Sequence, residues 1–233
     1  MLGVKSIDVV LGGKPVLQDV TLTVGTGESV AVLGPSGSGK STLLRAVAGL
    51  VPVESGSITW DGQDMTAVPT HLRGFGLMFQ GYALFPHLDV FGNVGFGLRM
   101  ANLPEQEIRR RVAAALELVG LDGFDDRSIT DLSGGEKQRV ALARTLAPEP
   151  KMIMLDEPLG ALDRALRERL MVDTRRILSD RGVTALVVTH DREEAEALSD
   201  RIALMRDGTI VQSGTLAEIL TYPTDDWVRD FLG

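Results

Sequence analysis

Residues 29–44 read SVAVLGPSGSGKSTLL, and they are the most informative stretch of the chain. The segment Ser29–Leu33 is apolar after its first residue, which predicts a short strand buried on both faces of a sheet. A glycine-rich loop follows, and residues 41–50 predict a helix. The loop at residues 34–41 therefore matches G-x-x-x-x-G-K-[ST] in the strand–loop–helix setting that this phosphate-binding pattern requires.

The loop has the chemistry that a phosphate group needs. Glycines let backbone N–H groups converge on phosphate oxygens, and the helix N-terminus adds the positive end of its dipole. We expect Lys40 to reach the β- and γ-phosphates of a nucleotide and the Ser41 hydroxyl to ligate Mg²⁺. The alternative is a flexible Gly/Ser loop without a ligand. The predicted nucleotide-binding residues here are Gly34, Ser36, Gly37, Ser38, Gly39, Lys40, Ser41 and Thr42.

Composition limits the class of protein. With 233 residues, 44% of them hydrophobic, the chain suits one large domain or one domain with an inserted lobe. A net charge of -8 gives no basic surface for nucleic acid, and the lack of cysteine excludes disulfides and thiolate metal sites. No apolar run approaches the roughly 20 residues of a membrane span, and the N-terminus lacks the apolar core of a signal peptide. We expect a soluble protein whose membrane role, if any, comes through a partner.

Strands and helices alternate along most of the chain. Strands are predicted at residues 4–10, 16–24, 29–33, 58–60, 152–155 and 184–189, with a further buried strand at 77–79 and a closing hairpin at 202–205 and 209–212. Helices are predicted at residues 41–50, 105–119, 136–146, 163–180 and 193–198. This alternation implies an α/β fold with a mainly parallel sheet and helices on both sides.

Two regions depart from that alternation. The first two strands, joined by a turn-rich segment, predict an N-terminal antiparallel β region. Residues 81–127 change to helical periodicity, which predicts an inserted helical lobe. The predicted architecture is a P-loop NTPase core with a β subdomain at residues 1–80 and 128–233, and a helical subdomain at residues 81–127.

Two carboxylates follow the apolar strand in residues 152–157, which read MIMLDE. In open α/β sheets, ligands bind outside the carboxyl ends of the strands. Asp156 suits a role in holding the Mg²⁺ that bridges the phosphates, and Glu157 suits the base that positions the attacking water. An isolated pair of this kind more often caps the next segment, but the phosphate loop on the same sheet favours the catalytic interpretation.

A second anion-binding helix start is predicted at residues 132–139, which read LSGGEKQR. Ser133 is an N-cap with Glu136 three residues later, and Gly134 and Gly135 leave the backbone N–H groups bare. A single nucleotide would not readily occupy both phosphate-binding helix starts of one chain. Two chains related by a two-fold axis resolve this, because each offers its second end to the nucleotide of the other.

These motifs together resemble the ATP-binding-cassette (ABC) ATPase family, whose signature is this LSGGE/Q pattern, and the resemblance extends to Leu220. It implies that Gln80 is the Q-loop glutamine, that residues 161–163 form the D-loop that crosses the dimer interface, and that His190 is the switch histidine at the γ-phosphate. Without the family, Gln80 would be unremarkable and Asp163 an ordinary helix N-cap. The implied catalytic residues are Lys40, Gln80, Glu157 and His190; the implied metal ligands are Ser41, Gln80 and Asp156; and the second set of nucleotide contacts is Ser133, Gly134, Gly135 and Asp163.

The chain departs from the family at one position. Members of this kind usually carry an aromatic residue, which stacks on adenine, just before the glycine that precedes the first loop, and here that position is Leu11. Leucine can cover one face of a purine but lacks the ring-on-ring contribution. We therefore expect weaker nucleotide affinity or less selectivity for adenine.

Residues 80–88, QGYALFPHL, resemble the joint between Q-loop and helical lobe in importer ATPases for iron, thiamine, polyamines, sulfate, molybdate or sugars. Exposed aromatic side chains at Tyr82 and Phe85 would form a socket for a short helix of a membrane subunit; packing inside the lobe is the alternative for each. The chain ends at Gly233, near where the cassette itself normally ends, which fits either a short member or a longer protein that was cut.

The resemblance implies the ATP-hydrolysing subunit of an ABC importer, with ATP and Mg²⁺ as cofactors. Its partners would be a second copy of itself, integral membrane permease subunits and a solute-binding protein that acts on the permease, with no nucleic acid. Its location would be the cytoplasmic face of the cell membrane. A separate-chain exporter ATPase and a non-transport ABC ATPase remain alternatives, whereas a P-loop kinase or GTPase would leave residues 132–139 unexplained. The sequence does not identify the transported solute.

Overall fold

The computed structural model describes residues 1–159 and 164–233. Its strands are β1 (Leu2–Leu11), β2 (Lys14–Val24), β3 (Ser29–Leu33), β4 (Ser55–Trp60), β5 (Gln63–Asp64), β6 (Phe75–Met78), β7 (Met152–Asp156), β8 (Ala185–Thr189), β9 (Arg201–Arg206) and β10 (Thr209–Gly214). Its helices are α1 (Lys40–Ala48), α2 (Thr70–Arg73), α3 (Val90–Val94), α4 (Phe96–Met100), α5 (Glu105–Leu118), α6 (Gly134–Leu146), α7 (Arg164–Asp180), α8 (Arg192–Leu198), α9 (Leu216–Thr221) and α10 (Asp226–Leu232), with a 3₁₀ turn at Ile129–Asp131.

The larger sheet has six strands in the order β10-β9-β3-β8-β7-β6. Strands β9, β3, β8, β7 and β6 are parallel, and β10 pairs antiparallel with β9. Every residue of β3, β7 and β8 is buried. In β3 the side chains alternate between two apolar cores, with Ala31 and Leu33 in one and Val30 and Val32 in the other. Both faces of the sheet are therefore covered, which confirms the predicted parallel α/β core.

The smaller sheet is antiparallel, with the strand order β2-β1-β4-β5. Strand β1 pairs with β2 on one side and with β4 on the other, and β2 follows β1 through a short hairpin. The inward side chains of β1 and β2 share a core with Leu43, Leu44 and Val47 of α1. The predicted N-terminal antiparallel region is therefore present, and it packs on the helix that follows the phosphate loop.

Helices α3, α4 and α5 all lie within residues 81–127. In α5 the buried residues are Ile108, Val112, Ala115 and Leu116, which is the face that the periodicity predicted. The exact boundaries of a helical subdomain at residues 81 and 127 stay a prediction. Among residues 1–159 and 164–233, no helix combines the length and apolarity needed to cross a membrane.

Two predicted elements were placed wrongly. The strand expected at residues 77–79, buried on both faces, is β6 at Phe75–Met78, and only Met78 is fully buried. Strand β6 lies at the edge of the sheet beside β7 alone, so one side stays open. The apolar pattern placed the next helix from residue 136, two residues late; the predicted capping box of Ser133 and Glu136 is confirmed, and it starts α6 at Gly134.

Candidate nucleotide-binding and catalytic site

The glycine-rich loop lies between β3 and α1 and packs tightly on its neighbours. A Cβ on Gly34 would lie 2.1 Å from the Met205 carbonyl oxygen, and one on Gly39 would lie 2.9 Å from Cδ2 of Leu17. Gly39 also has φ 105°, a left-handed conformation that favours glycine. These glycines are therefore required by backbone geometry and by the close approach of β2 and β9.

The outer part of the loop is open. Gly37 has φ 81°, and a Cβ placed there would meet nothing within 4 Å. The Ser38 carbonyl oxygen accepts a hydrogen bond of 3.0 Å from the backbone N–H of Gly208, which anchors the loop from the β9–β10 turn. The loop thus combines a fixed base with an open concave side.

Lys40 begins α1 and is only 5% exposed. Its Nζ donates to the carbonyl oxygens of Gly34 at 2.9 Å and Pro35 at 2.8 Å. An ammonium has three donors, so one remains for a ligand. Burial lowers the pKa of Lys40, while the nearby carboxylates of Glu157 and Asp156 act in the opposite direction.

Ser38 is a second loop residue with a buried polar group available to a ligand. Its Oγ is buried and has no hydrogen-bond partner in the part of the chain that the structure describes. Buried polar atoms are normally paired, and this hydroxyl lies in the same loop as the buried ammonium of Lys40. The loop therefore fits an anion rich in acceptor oxygens, such as a phosphate chain.

Oxygen donors for a cation meet beside the loop. The Ser41 hydroxyl donates to Oδ1 of Asp156 at 2.9 Å, although the two residues are 115 positions apart. Asp156 ends β7 and is 4% exposed. Burial raises the pKa of Asp156, and the Ser41 hydrogen bond partly opposes this. A hydroxyl and a carboxylate next to a phosphate site are the donor set that Mg²⁺ takes in such proteins.

Three of the predicted catalytic residues converge at the carboxyl end of the sheet. Oε2 of Glu157 accepts a hydrogen bond from Nε2 of Gln80 at 2.7 Å, and its Oε1 lies 3.1 Å from Nδ1 of His190. Glu157 has φ 46°, a left-handed conformation for a residue with a side chain, and its N–H donates to the Val188 carbonyl at 2.8 Å. Strain of this kind, held in place by surrounding contacts, is typical of functional sites.

The second predicted phosphate-binding end is formed at the start of α6. The N–H of Glu136 donates to Oγ of Ser133 at 3.3 Å, and the N–H of Ser133 donates to the Glu136 carboxylate at 2.8 Å. The Ser133 hydroxyl, 2.7 Å from Oε2 of Glu136, and the Ser133 N–H both donate to the Glu136 carboxylate and hold its pKa below its usual value. Ser133 and Gly134 are exposed, while Gly135 is buried, with a Cβ there only 3.0 Å from Leu166.

This end is separate from the phosphate loop. In the described residues, no hydrogen bond or ion pair joins residues 133–135 to residues 34–41. Ser133 and Gly134 are exposed at the surface of the molecule, as a site for another molecule would require.

Two predicted nucleotide contacts are less closely defined. Leu11 ends β1, pairs with Lys14 in the hairpin and is 41% exposed. Strand β2 reaches the loop, since a Cβ on Gly39 would lie 3.1 Å from the Val16 carbonyl oxygen. The hairpin of Leu11 is therefore next to the loop. Asp163 and the rest of residues 160–163 lie outside the described residues.

The expectation of two exposed aromatic residues after Gln80 was wrong. Tyr82 is half-buried against the main core, and its hydroxyl is buried. Phe85 is also half-buried, but its ring lies 4.5 Å from that of Phe96 and lines a cavity of about 370 Å³. That cavity is lined by Gly76, Leu77, Phe79, Ala83, Phe85, Phe96, Gly97, Arg144, Thr145 and Pro148.

Two supporting residues were missed in the sequence. Arg144 of α6 donates to the carbonyl oxygens of Tyr82 at 2.8 Å and Ala83 at 2.9 Å, and both of these residues have positive φ. Glu194 of α8 is a carboxyl group only 3% exposed. The sequence signal that could have identified Glu194 was an acidic residue on the inward side of the short helix that follows β8 and His190.

An α/β core with a glycine-rich loop between β3 and α1, and with carboxylates at the end of β7, defines a P-loop nucleoside triphosphatase. The family model described as ABC transporter matches residues 17–160. The ferric ion import ATP-binding protein FbpC of Streptomyces coelicolor is 56% identical over the whole chain, which spans 67% of that protein. The spermidine/putrescine import ATP-binding protein PotA of Mesoplasma florum is 47% identical over 95% of the chain and is matched over 63% of its own length.

A solved dimeric ATP-binding cassette in a post-hydrolysis state, bound to ADP and Pi, has a TM-score of 0.81 and 32% identity. The match covers 93% of this chain and 99% of that one. The chain belongs to the ABC transporter family, as an ATP-hydrolysing cassette of the importer type. The predictions of family, fold class and ATPase activity are therefore confirmed.

Proposed function

We propose that two copies of this chain close around two ATP molecules and that closure drives solute import by separate membrane subunits. The observation that carries the proposal is the separation of two phosphate-binding ends, one at Lys40 and one at the exposed N-terminus of α6. Each ATP would lie between the phosphate loop of one copy and Ser133, Gly134 and Gly135 of the other. The dimeric cassette with ADP and Pi supports this arrangement.

Different residues around each ATP would bind the phosphates, the base and Mg²⁺. The open donor of Lys40 and the backbone N–H groups from Gly37 to Thr42 would bind the phosphates, and Leu11 would cover the base. Asp163 would approach the site from the partner copy. Mg²⁺ would be held by Ser41, Asp156 and Gln80, and it would neutralise negative charge on the phosphates.

Glu157 would orient the attacking water, and His190 would hold the γ-phosphate. Glu157 accepts a hydrogen bond from Gln80 and lies within hydrogen-bond distance of His190, and these contacts support the roles because they bring three polar groups together. Gln80 would leave Glu157 as the site closes, so that the Glu157 oxygen becomes free for water. Phosphoryl transfer needs mainly this positioning and charge stabilisation.

The cavity beside Phe85 would receive a short helix from the permease. The residues that line this cavity include Ala83 and Phe85, which follow Gln80 closely in the chain, and its exposed aromatic residues are Phe79 and Phe96. Arg144 also lines the cavity and donates to the backbone of the loop after Gln80. A helix seated there can pull on the catalytic loop. We assign residues 81–127 as the helical subdomain that contacts the permease, and residues 1–80 and 128–233 as the catalytic core.

The chain would then act at the cytoplasmic face of the membrane, held there by its permease, and a solute-binding protein would deliver the solute on the other side. The relatives named for ferric ions and for polyamines align with nearly the same residues of this chain. Solute choice therefore belongs to the membrane and binding-protein subunits.

The Glu157→Gln variant tests the catalytic proposal. Loss of the carboxylate that positions water should lower kcat by about a hundredfold or more, while ATP binding and ATP-dependent dimerisation persist. ATP turnover and sedimentation with ATP and Mg²⁺ measure both effects. Glu117→Gln, an exposed change on α5, is the matched control and should behave as wild type. Near-normal turnover in Glu157→Gln would remove Glu157 from its role.

A further inference from the structure

A buried carboxyl group that has no part in the proposed catalysis lies beneath the catalytic residues. Glu194 is the third residue of α8 and is 3% exposed. Its Oε1 accepts a hydrogen bond of 3.1 Å from the backbone N–H of Leu159, and its Oε2 accepts a short hydrogen bond from the Thr189 hydroxyl. One side chain thus joins the loop after β7 to the end of β8.

Tyr82, in the loop after β6, lies within the electrostatic range of Glu194 but makes no hydrogen bond to it. Burial raises the pKa of Tyr82, and the negative charge of Glu194 adds to this effect. The Tyr82 hydroxyl is buried and has no hydrogen-bond partner among the described residues. Tyr82 therefore brings an unused polar group into the electrostatic range of Glu194 from the loop after β6.

Each of the two segments that Glu194 joins adjoins one predicted catalytic residue: Leu159 lies two positions after Glu157, and Thr189 lies one position before His190. We propose that Glu194 is a positioning residue whose ionised carboxylate holds the segments that carry Glu157 and His190 in register for ATP hydrolysis. The inference rests on the proposed function. Glu194 touches none of the reacting groups and acts through the backbone of its neighbours.

The ionised and neutral forms of Glu194 make different contacts. A carboxylate only accepts, so it can take both the Leu159 N–H and the Thr189 O–H. A neutral carboxyl must donate its own hydrogen, and the Thr189 oxygen, which already accepts the Asp191 N–H at 3.0 Å, is the adjacent acceptor. Protonation therefore reverses the bond to Thr189 and removes two charge-assisted contacts at once.

The surroundings place this change near neutral pH. Burial raises the pKa of Glu194 to about 7, against the lowering effect of the Thr189 and Leu159 hydrogen bonds. Asp191 on the same helix raises it further, and Arg167 of α7, which pairs with Asp191 at 2.9 Å, lowers it. Tyr82 faces it from the loop after β6.

The test is the ratio of wild-type kcat to that of Glu194→Gln as a function of pH. We expect a ratio of about five at pH 8, the factor set by the net free energy of one hydrogen bond, and a ratio near one at pH 6. KM for ATP should be equal in both proteins, because Glu194 does not contact nucleotide. Taking the ratio cancels the pH effects that both proteins share.

Three further variants separate positioning from folding. Glu193→Gln, a substitution at the exposed neighbouring residue, should have the kcat of wild type at every pH. Thr189→Val should lower kcat at pH 8 as Glu194→Gln does, and Thr189→Ser, which keeps the hydroxyl, should restore it. A ratio that stays constant from pH 6 to pH 8, or a rise in KM with unchanged kcat, would overturn the inference. Absence of ATP turnover in the wild type would instead contradict the proposed function.

Discussion

The ionised carboxylate that would support catalysis should also destabilise the fold. In the folded protein the pKa of Glu194 is about 7, whereas its usual value is 4.5. Below pH 4.5 the group is neutral in both the folded and unfolded chains and costs nothing. As pH rises, the unfolded chain ionises first, so stability falls from about pH 4.5 until about pH 7 and then stays level.

The magnitude follows from this difference in pKa. Each pKa unit corresponds to about 1.4 kcal/mol, so the cost of ionised Glu194 reaches about 3 kcal/mol at pH 8 and is only about 1 kcal/mol at pH 5. Glu194→Gln removes the titration and keeps a side chain of the same shape. Its free energy of unfolding, minus that of wild type, should therefore increase by about 2 kcal/mol between pH 5 and pH 8.

Thermal unfolding at the two pH values measures this change. For a chain of this size the difference in Tm between variant and wild type should grow by about 5 °C from pH 5 to pH 8. The other titrating groups are shared by both proteins and cancel in the difference, as they do for Glu193→Gln, which should show no such growth. A Tm difference independent of pH would refute the assignment of a raised pKa to Glu194.

Two further predictions concern the nucleotide contacts. Ser133→Ala should lower stability by about 1 kcal/mol through loss of the α6 cap. It should also weaken ATP-dependent dimerisation while leaving ATP binding to the monomer intact. Thr215→Ala is the control, because it breaks the equivalent capping box of α9 and should lower stability similarly without affecting the dimer. Fluorescent ATP titration and sedimentation separate the two readouts. Leu11→Tyr should tighten ATP relative to GTP by about fivefold, the effect of one aromatic stacking contact, and unchanged affinity and selectivity would show that Leu11 does not contact the base.

Sequence patterns located the elements whose composition is dictated by burial on both faces. Strand β3 was placed to the residue, because a wholly apolar segment of this length has few alternatives in an α/β fold. Strand β6 was misplaced, since an edge strand with one neighbour is only partly buried and burial does not define its bounds. The periodicity placed the start of α6 two residues late, because its first turn contains two glycines, whereas the capping box at Ser133 and Glu136 located it correctly.

The candidate site was predictable where chemistry restricts the residue type. Lys40, Asp156 and Glu157 could be found because phosphate and metal binding require such groups at the ends of strands. The role of Glu194 could not be predicted, because its partners are a backbone N–H 35 positions away and a hydroxyl in the preceding strand. Tyr82 and Phe85 could not be distinguished either, since only the tertiary packing separates a ring against the core from a ring at a cavity.

The most direct measurement asks whether the phosphate loop of one copy meets the α6 N-terminus of another. The natural chain has no cysteine, so a chain carrying Ser36→Cys and a second chain carrying Ser133→Cys offer one exposed thiol each. With Glu157→Gln in both chains, a short bis-maleimide should join them only when ATP and Mg²⁺ are present, and Thr215→Cys in place of Ser133→Cys should give no product. Equal cross-linking without nucleotide, or none with it, would contradict the shared site.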